Sequence, residues 1–380
     1  MSGPRIALIR QKYNSAGGAE RFVSRAARAL AEQGADITLI TRKWDQASAL
    51  QVIQLTPWYL GSTWRDWSFT RAVCRHLQHT HYDLVQSHER LACCDVFRAG
   101  DGVHREWLTQ RGRTMGPLGR LAMGINPHHA YVLRAERQMF ESPRLRAVIC
   151  NSLMVKEEIV RHFGLRQDQL TVVYNGVDLE EFSPRRREPS RRTQRQALGI
   201  AEDMFTLLHV GSGFERKGVG TILRAMARAS AVCHLIVVGS DKREDRYRSL
   251  AGELGIASRV HFAGVQRDTG PYYAAADAFV MASLYEPFAN ASMEALATGL
   301  PLVTSTKSGA AEILEQGKTG YAFDALDVGG FSSAIDALAN PERRLVMGAA
   351  ARALAERFTN DGMTAQLLEL YRCLLMDSSD

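Results

Sequence analysis

The chain has little that would tie it to a metal, a membrane span or a dinucleotide. Its 380 residues hold only six cysteines, Cys74, Cys93, Cys94, Cys150, Cys233 and Cys373. No pair has C-x-x-C spacing and no histidine cluster accompanies them. That argues against a structural zinc site and leaves reduced thiols of a cytosolic protein as the expectation. No apolar run approaches the roughly 20 residues that cross a bilayer. The N-terminus runs straight into a strand, without a charged segment and apolar core, so no signal peptide is expected. A full G-x-G-x-x-G is also missing, so a dinucleotide fingerprint is not supported. Charge of either sign is in small excess: 47 basic against 41 acidic residues give +6. Such a mild surplus suits an anionic ligand or membrane surface and is too diffuse to indicate nucleic acid.

What is present is ordinary globular material, 46% hydrophobic and 23% charged, in a length that predicts two domains. Arg5–Ile9 is a short apolar run of the buried parallel type, followed by Gly17-Gly18 and an amphipathic helix through about Gln33. Strand, Gly-Gly turn and helix open a doubly wound sheet. Gly17 and Gly18 either form a plain turn or let the backbone approach a phosphate or sugar. Further strands are expected at 36–41, 83–87, 146–150 and 170–174. Between them lie Trp58, Trp64 and Trp67, three of the five tryptophans, which helical spacing places in a core or interdomain contact; an acceptor-side aromatic loop is the alternative. Asp101 sits in a glycine-flanked turn after a strand-like run, where it could meet an incoming hydroxyl or serve as a routine turn residue. Residues 105–146 carry eight arginines against three glutamates with apolar residues interleaved. They read as a solvated helix pair or as a segment lying on an anionic membrane.

Residues 184–195 contain six arginines and two prolines and read as an exposed connection between domains. The expected boundaries are 1–183 for the first domain, 184–198 for the linker, 199–360 for the second domain and 361–380 for a final helix. A second strand–helix series starts at 205–210 and continues at 234–239, 259–264, 278–282 and 301–304. Its first loop runs from Gly211 to Gly220 and resembles neither a Walker A motif, since Val219 follows Gly218 where Lys and then Ser or Thr are needed, nor a Rossmann turn, since Arg216 replaces the last glycine. It delivers Arg216 and Lys217, a planar fork and a point charge, to a strand end where a diphosphate could bind.

The other informative stretch is Leu284–Pro301. Pro287 keeps Glu286 in a loop, a helix is expected over 289–298 with Asn290 or Ser292 as cap, and Gly299 and Pro301 close it. Glu286 and Glu294 would then lie roughly 12 Å apart. Two carboxylates acting on one glycosidic bond stand about 5–5.5 Å apart in retaining hydrolases. The wide spacing suits a ligand with hydroxyls at both ends and negative charge in the middle, placed at a helix N-terminus. In open α/β sheets ligands sit at the carboxyl ends of strands. Gly18, Asp101, Arg216, Lys217, Val265, Glu286 and Glu294 all fall at such ends.

These residues resemble a known family. Glu286 and Glu294 match the E-x7-E element of retaining GT-B glycosyltransferases of family 4. Arg216-Lys217 in its G-S-x-F-x-R-K-G context, the Gly17-Gly18 turn and the Ser308–Glu312 loop agree with it along essentially the whole chain. Within the family the chain looks most similar to lipopolysaccharide core α-1,3-glucosyltransferases. The resemblance implies an α/β fold of two Rossmann-like doubly wound domains facing across a cleft, with the last helix crossing back to the first domain. It implies a UDP-sugar co-substrate, no cofactor and no required metal, and the chain has no D-x-D. The partners implied are a nucleotide-sugar donor and a glycan or glycolipid acceptor, in the cytoplasm; the composition of residues 105–146 adds the inner face of the cytoplasmic membrane as an open alternative to a solvated helix pair. By position, Arg216 and Lys217 would hold the diphosphate, Glu286 the hexose and Glu294 the ribose. Phe288, Ala289, Asn290 and Ala291 would offer backbone N–H groups, Gly211 and Val265 backbone contacts to the donor, and Asp101 would be the acceptor-side acid. Ala289 departs from the glycine many relatives carry, which leaves the hexose open.

Overall fold

The computed structural model describes residues 3–12, 27–43 and 51–376. Two compact units divide the chain, one formed by residues 1–174 and 361–380, the other by 175–360. The first contains a seven-stranded sheet in which every pairing is parallel, ordered β3-β2-β1-β4-β5-β6-β7. Its strands are β1 (Arg5–Ile9), β2 (Asp36–Thr41), β3 (Gln51–Gln54), β4 (Leu84–Ser87), β5 (Val96–Ala99), β6 (Ala147–Cys150) and β7 (Leu170–Val172). Successive side chains of a strand point to opposite faces. Ile6 and Leu8 therefore enter one apolar cluster with Met363, Leu367 and Tyr371 of the last helix, while Ala7 and Ile9 enter another with Phe69, Val73 and Met139. That last helix, Asn360–Met376, also bonds to the sheet through the Tyr371 hydroxyl, which donates to Gln86.

The second unit has a six-stranded parallel sheet ordered β10-β9-β8-β11-β12-β13. Here β8 is Thr206–Val210, β9 His234–Val238, β10 Val260–Gly264, β11 Ala278–Met281, β12 Leu302–Ser305 and β13 Gly320–Phe323. In both sheets the chain order reverses beside the first strand of the unit, β1 or β8, which is the switch point of a doubly wound fold. The strands β3 and β13 were not anticipated. Asn175–Asp178 does not close the first unit but opens the second, with Val177 bridging to Thr359.

Three expectations are corrected. The arginine-rich stretch 184–198 is not an exposed linker: Arg187–Leu198 is a helix packed on Gly270–Ala275. Arg187, Arg191 and Arg195 recur every fourth residue and so share one face. They donate to the carbonyls of Ala274, Ala275 and Ala276 at the end of that short helix, and Arg191 and Arg195 both pair with Asp277 at 2.8 Å. Cations at a helix C-terminus satisfy its last carbonyls, which explains how a fully buried Arg195 is tolerated. The tryptophans are not core: Phe69 and Val73 take the inward face of the helix Gly61–His79, leaving Trp58 69% exposed and Trp64 and Trp67 exposed beside it. Residues 105–146 form three helices rather than a pair, His104–Gly112, Pro117–Gly124 and Pro127–Phe140.

The thiols also differ from the expectation of reduced cysteines. Cys74, on the helix Gly61–His79, is joined to Cys93 in a disulfide across 19 positions of sequence; Cys94, Cys150, Cys233 and Cys373 are free. Among the described residues no helix is long and apolar enough to cross a membrane, and no cluster of side chains could hold a metal ion. Alkylation of the protein in denaturant without reductant should therefore block four cysteines, and six after reduction. Cys74→Ser should lower stability by about 3 kcal/mol, the loop-closure value for a ring of this size. Six cysteines alkylated without reductant would contradict the bond.

Candidate active site

The second unit concentrates its charged and unpaired polar groups at the carboxyl end of its sheet. β8 and β11 lie side by side, so the loops leaving them are neighbours. The first carries Arg216 and Lys217, the second Glu286. Gly218 has φ +72, and a Cβ there would lie 1.8 Å from the Ala282 carbonyl, so only glycine lets the two loops come this close. Leu284 N–H then donates to Arg216 O at 2.8 Å and locks the loops together. Behind Glu286, its N–H donates to Lys307 O and its carbonyl accepts from Gly309 N–H, both at 2.9 Å, which ties it to the loop after β12.

This scaffold brings the three predicted charged residues onto one atom. Glu286 Oε2 accepts from Arg216 Nη1 at 2.8 Å and from Lys217 Nζ. Glu286 and Lys217 are buried and Arg216 is half-buried. Burial alone would raise the Glu286 carboxyl, but Lys217 and Arg216 outweigh it and hold it below the usual carboxylate range. Burial lowers the Lys217 ammonium, offset in part by Glu286. Because Glu286 titrates lower folded than unfolded, its contribution to stability is present at neutral pH and is lost as pH falls below the ordinary carboxylate range. The carboxylate oxygen lies between the two cations and is shared by both.

Glu294 lies in the helix Asn290–Ala297, where Tyr273 Oη donates to its Oε2 at 2.9 Å and to the Ala291 carbonyl at 3.1 Å. The helix begins one residue later than expected, at Asn290, and no side chain caps it. Asn290 instead accepts from Asn175 Nδ2 at 2.7 Å, which also donates to Phe288 O. An uncapped first turn leaves backbone N–H groups without intrahelical partners, as an anion site requires. Phe288 and Ala289, just before it, are buried. Among the described residues of this unit, four buried side-chain polar atoms have no hydrogen-bond partner: His209 Nε2, Ser283 Oγ, Ser292 Oγ and Ser308 Oγ. All four belong to this end of the sheet, and buried polar atoms without partners mark a place for water or ligand. His209 Nδ1 must donate to the Val280 carbonyl, 3.1 Å away, so Nε2 holds a bare lone pair, and burial pushes the ring down to about 4. None of these four, nor Tyr273 or Asn175, was assigned a site role from the sequence; their function depends on contacts 18 to 115 residues distant. Gly211 follows β8 directly, and Val265 follows β10 and is exposed.

Asp101 lies in the first unit, two residues beyond β5, exposed between Gly100 and Gly102. Its turn is braced from behind. Arg90 donates to Gly102 O at 3.4 Å and to the buried Glu136 at 3.0 Å, and Glu136 accepts the N–H of His104. Gly17 and Gly18 lie outside the described residues.

Comparison with known proteins defines the class. The Glycosyltransferase Family 4 model matches residues 16–181 and the Glycosyl transferases group 1 model matches residues 190–354. The chain belongs to the family 4, group 1 glycosyltransferases, and its two parallel-sheet domains make the GT-B fold. One relative is the lipopolysaccharide glucosyltransferase WaaG of Escherichia coli K12, 27% identical over 321 residues, covering 83% of this chain and 84% of the relative. Another is the D-inositol 3-phosphate glycosyltransferase of Xylanimonas cellulosilytica, 28% identical over an aligned length of 411, covering 97% and 96%. The crystal structure of WaaG matches with a TM-score of 0.80 at 25% identity over 92% of this chain and 95% of that one. HepE of Anabaena, solved with UDP-glucose, shares the fold with a TM-score of 0.76 at 20% identity, over 97% of this chain and all of that one.

The ion cluster makes opposite predictions for its members. Glu286→Gln removes the internal anion and should leave UDP affinity unchanged or raise it. Arg216→Ala removes a cation and should weaken UDP at least tenfold, a change of about 1.4 kcal/mol. Calorimetric titration of UDP into both variants checks this; equal weakening by both would show that Glu286 does not compete with the ligand.

Proposed function

We propose that the protein is a retaining, metal-independent hexosyltransferase that moves glucose from UDP-glucose to a glycan or glycolipid acceptor of the lipopolysaccharide core type. The observation that carries this reading is the Arg216–Lys217–Glu286 cluster, with Glu294 one helix further on, at the carboxyl end of the second sheet. A sugar nucleotide has the matching layout of hexose, diphosphate and ribose. On binding, the diphosphate replaces Glu286 between the cations, and the released carboxylate turns to the hexose hydroxyls. Glu294, steadied by Tyr273, takes the ribose. The N–H groups at the start of the helix Asn290–Ala297 face sugar and phosphate.

The acceptor hydroxyl then attacks the anomeric carbon on the face from which the diphosphate departs, which gives retention. The bond from anomeric carbon to phosphate oxygen breaks, and that oxygen takes the acceptor proton. Arg216, Lys217 and the helix end stabilise the charge growing on the leaving group, the kind of fixed electrostatic term that contributes most to many enzymes. Two cations at the diphosphate supply what a bound metal supplies in other transferases. Asp101 is assigned to the acceptor.

The likeness to WaaG supports the lipopolysaccharide reading, and the inositol 3-phosphate relatives make a phosphorylated polyol the competing acceptor. Contact with the inner face of the cytoplasmic membrane is part of the proposal. The helix Pro117–Gly124 buries none of its residues, with Leu118 82% exposed and Ile125 just beyond it 74% exposed, among the arginines of 105–146. An apolar face flanked by basic residues suits an anionic bilayer. A cytoplasmic site of action sits with the Cys74–Cys93 bond only where its reduction leaves the enzyme folded, since reducing compartments open such bonds.

A screen of UDP-glucose, UDP-galactose, UDP-GlcNAc and GDP-mannose should show transfer or slow hydrolysis with UDP-glucose foremost, unaffected by chelator. Lys217→Ala should lower kcat/KM about 100-fold or more. Preference for another donor would move the specificity, and binding without turnover of any donor would make this a carrier of sugar nucleotides. In flotation, the protein should rise with vesicles containing anionic lipid at low salt, and Leu121→Asp should release it. Wild-type protein that stays at the bottom would end the membrane contact.

A further inference from the structure

The loop that carries the two cations is fixed by the loop beside it. β8 and β9 pair with Val210 opposite Val238, so the turns that leave them run together. Gly239 has φ +132, and a Cβ there would lie 2.4 Å from Gly211 O, so the backbones are in direct contact. Gly211 N–H donates to Val238 O at 2.8 Å, Gly213 N–H to Ser240 O at 3.0 Å, and Ser240 N–H to Ser212 Oγ at 3.1 Å. The strongest tie is a carboxylate. Asp241 accepts the Phe214 N–H on Oδ2 and the Arg243 N–H on Oδ1, each at 2.7 Å. Phe214 is fully buried against Tyr247 and Phe262, and Glu215 pairs with Arg243. From Phe214 the chain winds one turn, with Lys217 N–H on Gly213 O and Val219 N–H on Phe214 O, and that turn presents Arg216 and Lys217.

We propose that Asp241 is a positioning residue for the cation pair, setting the backbone turn that aims Arg216 and Lys217 at a diphosphate. Hydrogen bonds to an ionised acceptor are about twice as strong as neutral ones, and here both oxygens are used on backbone N–H groups. Those two groups belong to different loops, so one side chain joins the β8 and β9 turns at the residue where the cationic turn starts. Misplacing a group by about 1 Å can cost about 100-fold in rate, and Asp241 is the side-chain acceptor of the Phe214 N–H. Asparagine cannot reproduce the arrangement, because its amide nitrogen is a donor and would face one of the two N–H groups. Alanine removes both acceptors and sets no donor against either N–H. The inference rests on the diphosphate reading above.

The test is a double-mutant cycle on UDP affinity with Asp241→Asn, Lys217→Ala and the double variant, with thermal melts alongside. Asp241→Asn should weaken UDP at least tenfold, and the double variant should lose clearly less than the product of the two single losses, because in the Lys217→Ala background only Arg216 is left for Asp241 to position. Asp241→Ala, which removes both acceptors, should weaken UDP as well, and it carries the same cycle should the asparagine variant not fold. Wild-type affinity in Asp241→Asn, or losses that multiply in the double variant, would overturn the proposal. Failure of the diphosphate reading looks different: wild-type protein would then bind neither UDP, ADP nor GDP, and the proposal would fall with it.

Discussion

A buried carboxylate shared by two cations organises the second unit. Glu286 meets Arg216 and Lys217 across 70 and 69 residues of sequence, and each feature around them serves that meeting. Gly218 allows the contact with Ala282, Phe214 plugs the cationic turn into the core, and the loop after β12 holds the Glu286 backbone on both its polar groups. Burying such a group without partners costs several kcal/mol, and the Glu286 carboxylate offsets one of the two positive charges beside it.

The same principle appears without a ligand in the arginine stripe of the helix Arg187–Leu198. There Asp277 and a row of carbonyls satisfy the cations permanently, with Arg195 fully buried, and nothing is left to bind. The contrast separates structure from site. In the stripe each buried donor has a fixed backbone or carboxylate partner, whereas at the sheet end four buried polar atoms have none.

Much of this was legible in the chain because local rules decide it. Pro287, Gly299 and Pro301 bound the helix that carries Glu294, and apolar runs with glycines at their ends mark most strands, so the doubly wound order and the location of Arg216, Lys217 and Glu286 at strand ends could be read directly. What could not be read depends on distant partners. The arginines of 184–198 look solvated until the end of the helix Gly270–Ala275 is set beside them. Trp64 and Trp67 have helical spacing, but Phe69 and Val73 fill the inward face first. Cys74 and Cys93 carry no local signal of pairing. β3 is short with exposed ends, so its alternation is too brief to register. Asp241 and Tyr273 act on backbone and carboxylate atoms brought near only by the sheet order.

The chain is a family 4, group 1 transferase on the GT-B fold, with the Arg216–Lys217–Glu286 cluster in one unit and, in the other, Asp101 in a turn whose Gly102 carbonyl accepts from Arg90. The most direct measurement is a crystal structure of the protein with a nucleotide sugar bound. The diphosphate should then lie on Arg216 and Lys217, with Glu286 rotated away from them onto the hexose. A bound nucleotide sugar that leaves the Glu286 ion pairs intact, with its phosphates elsewhere, would contradict the exchange on which the proposed chemistry is built.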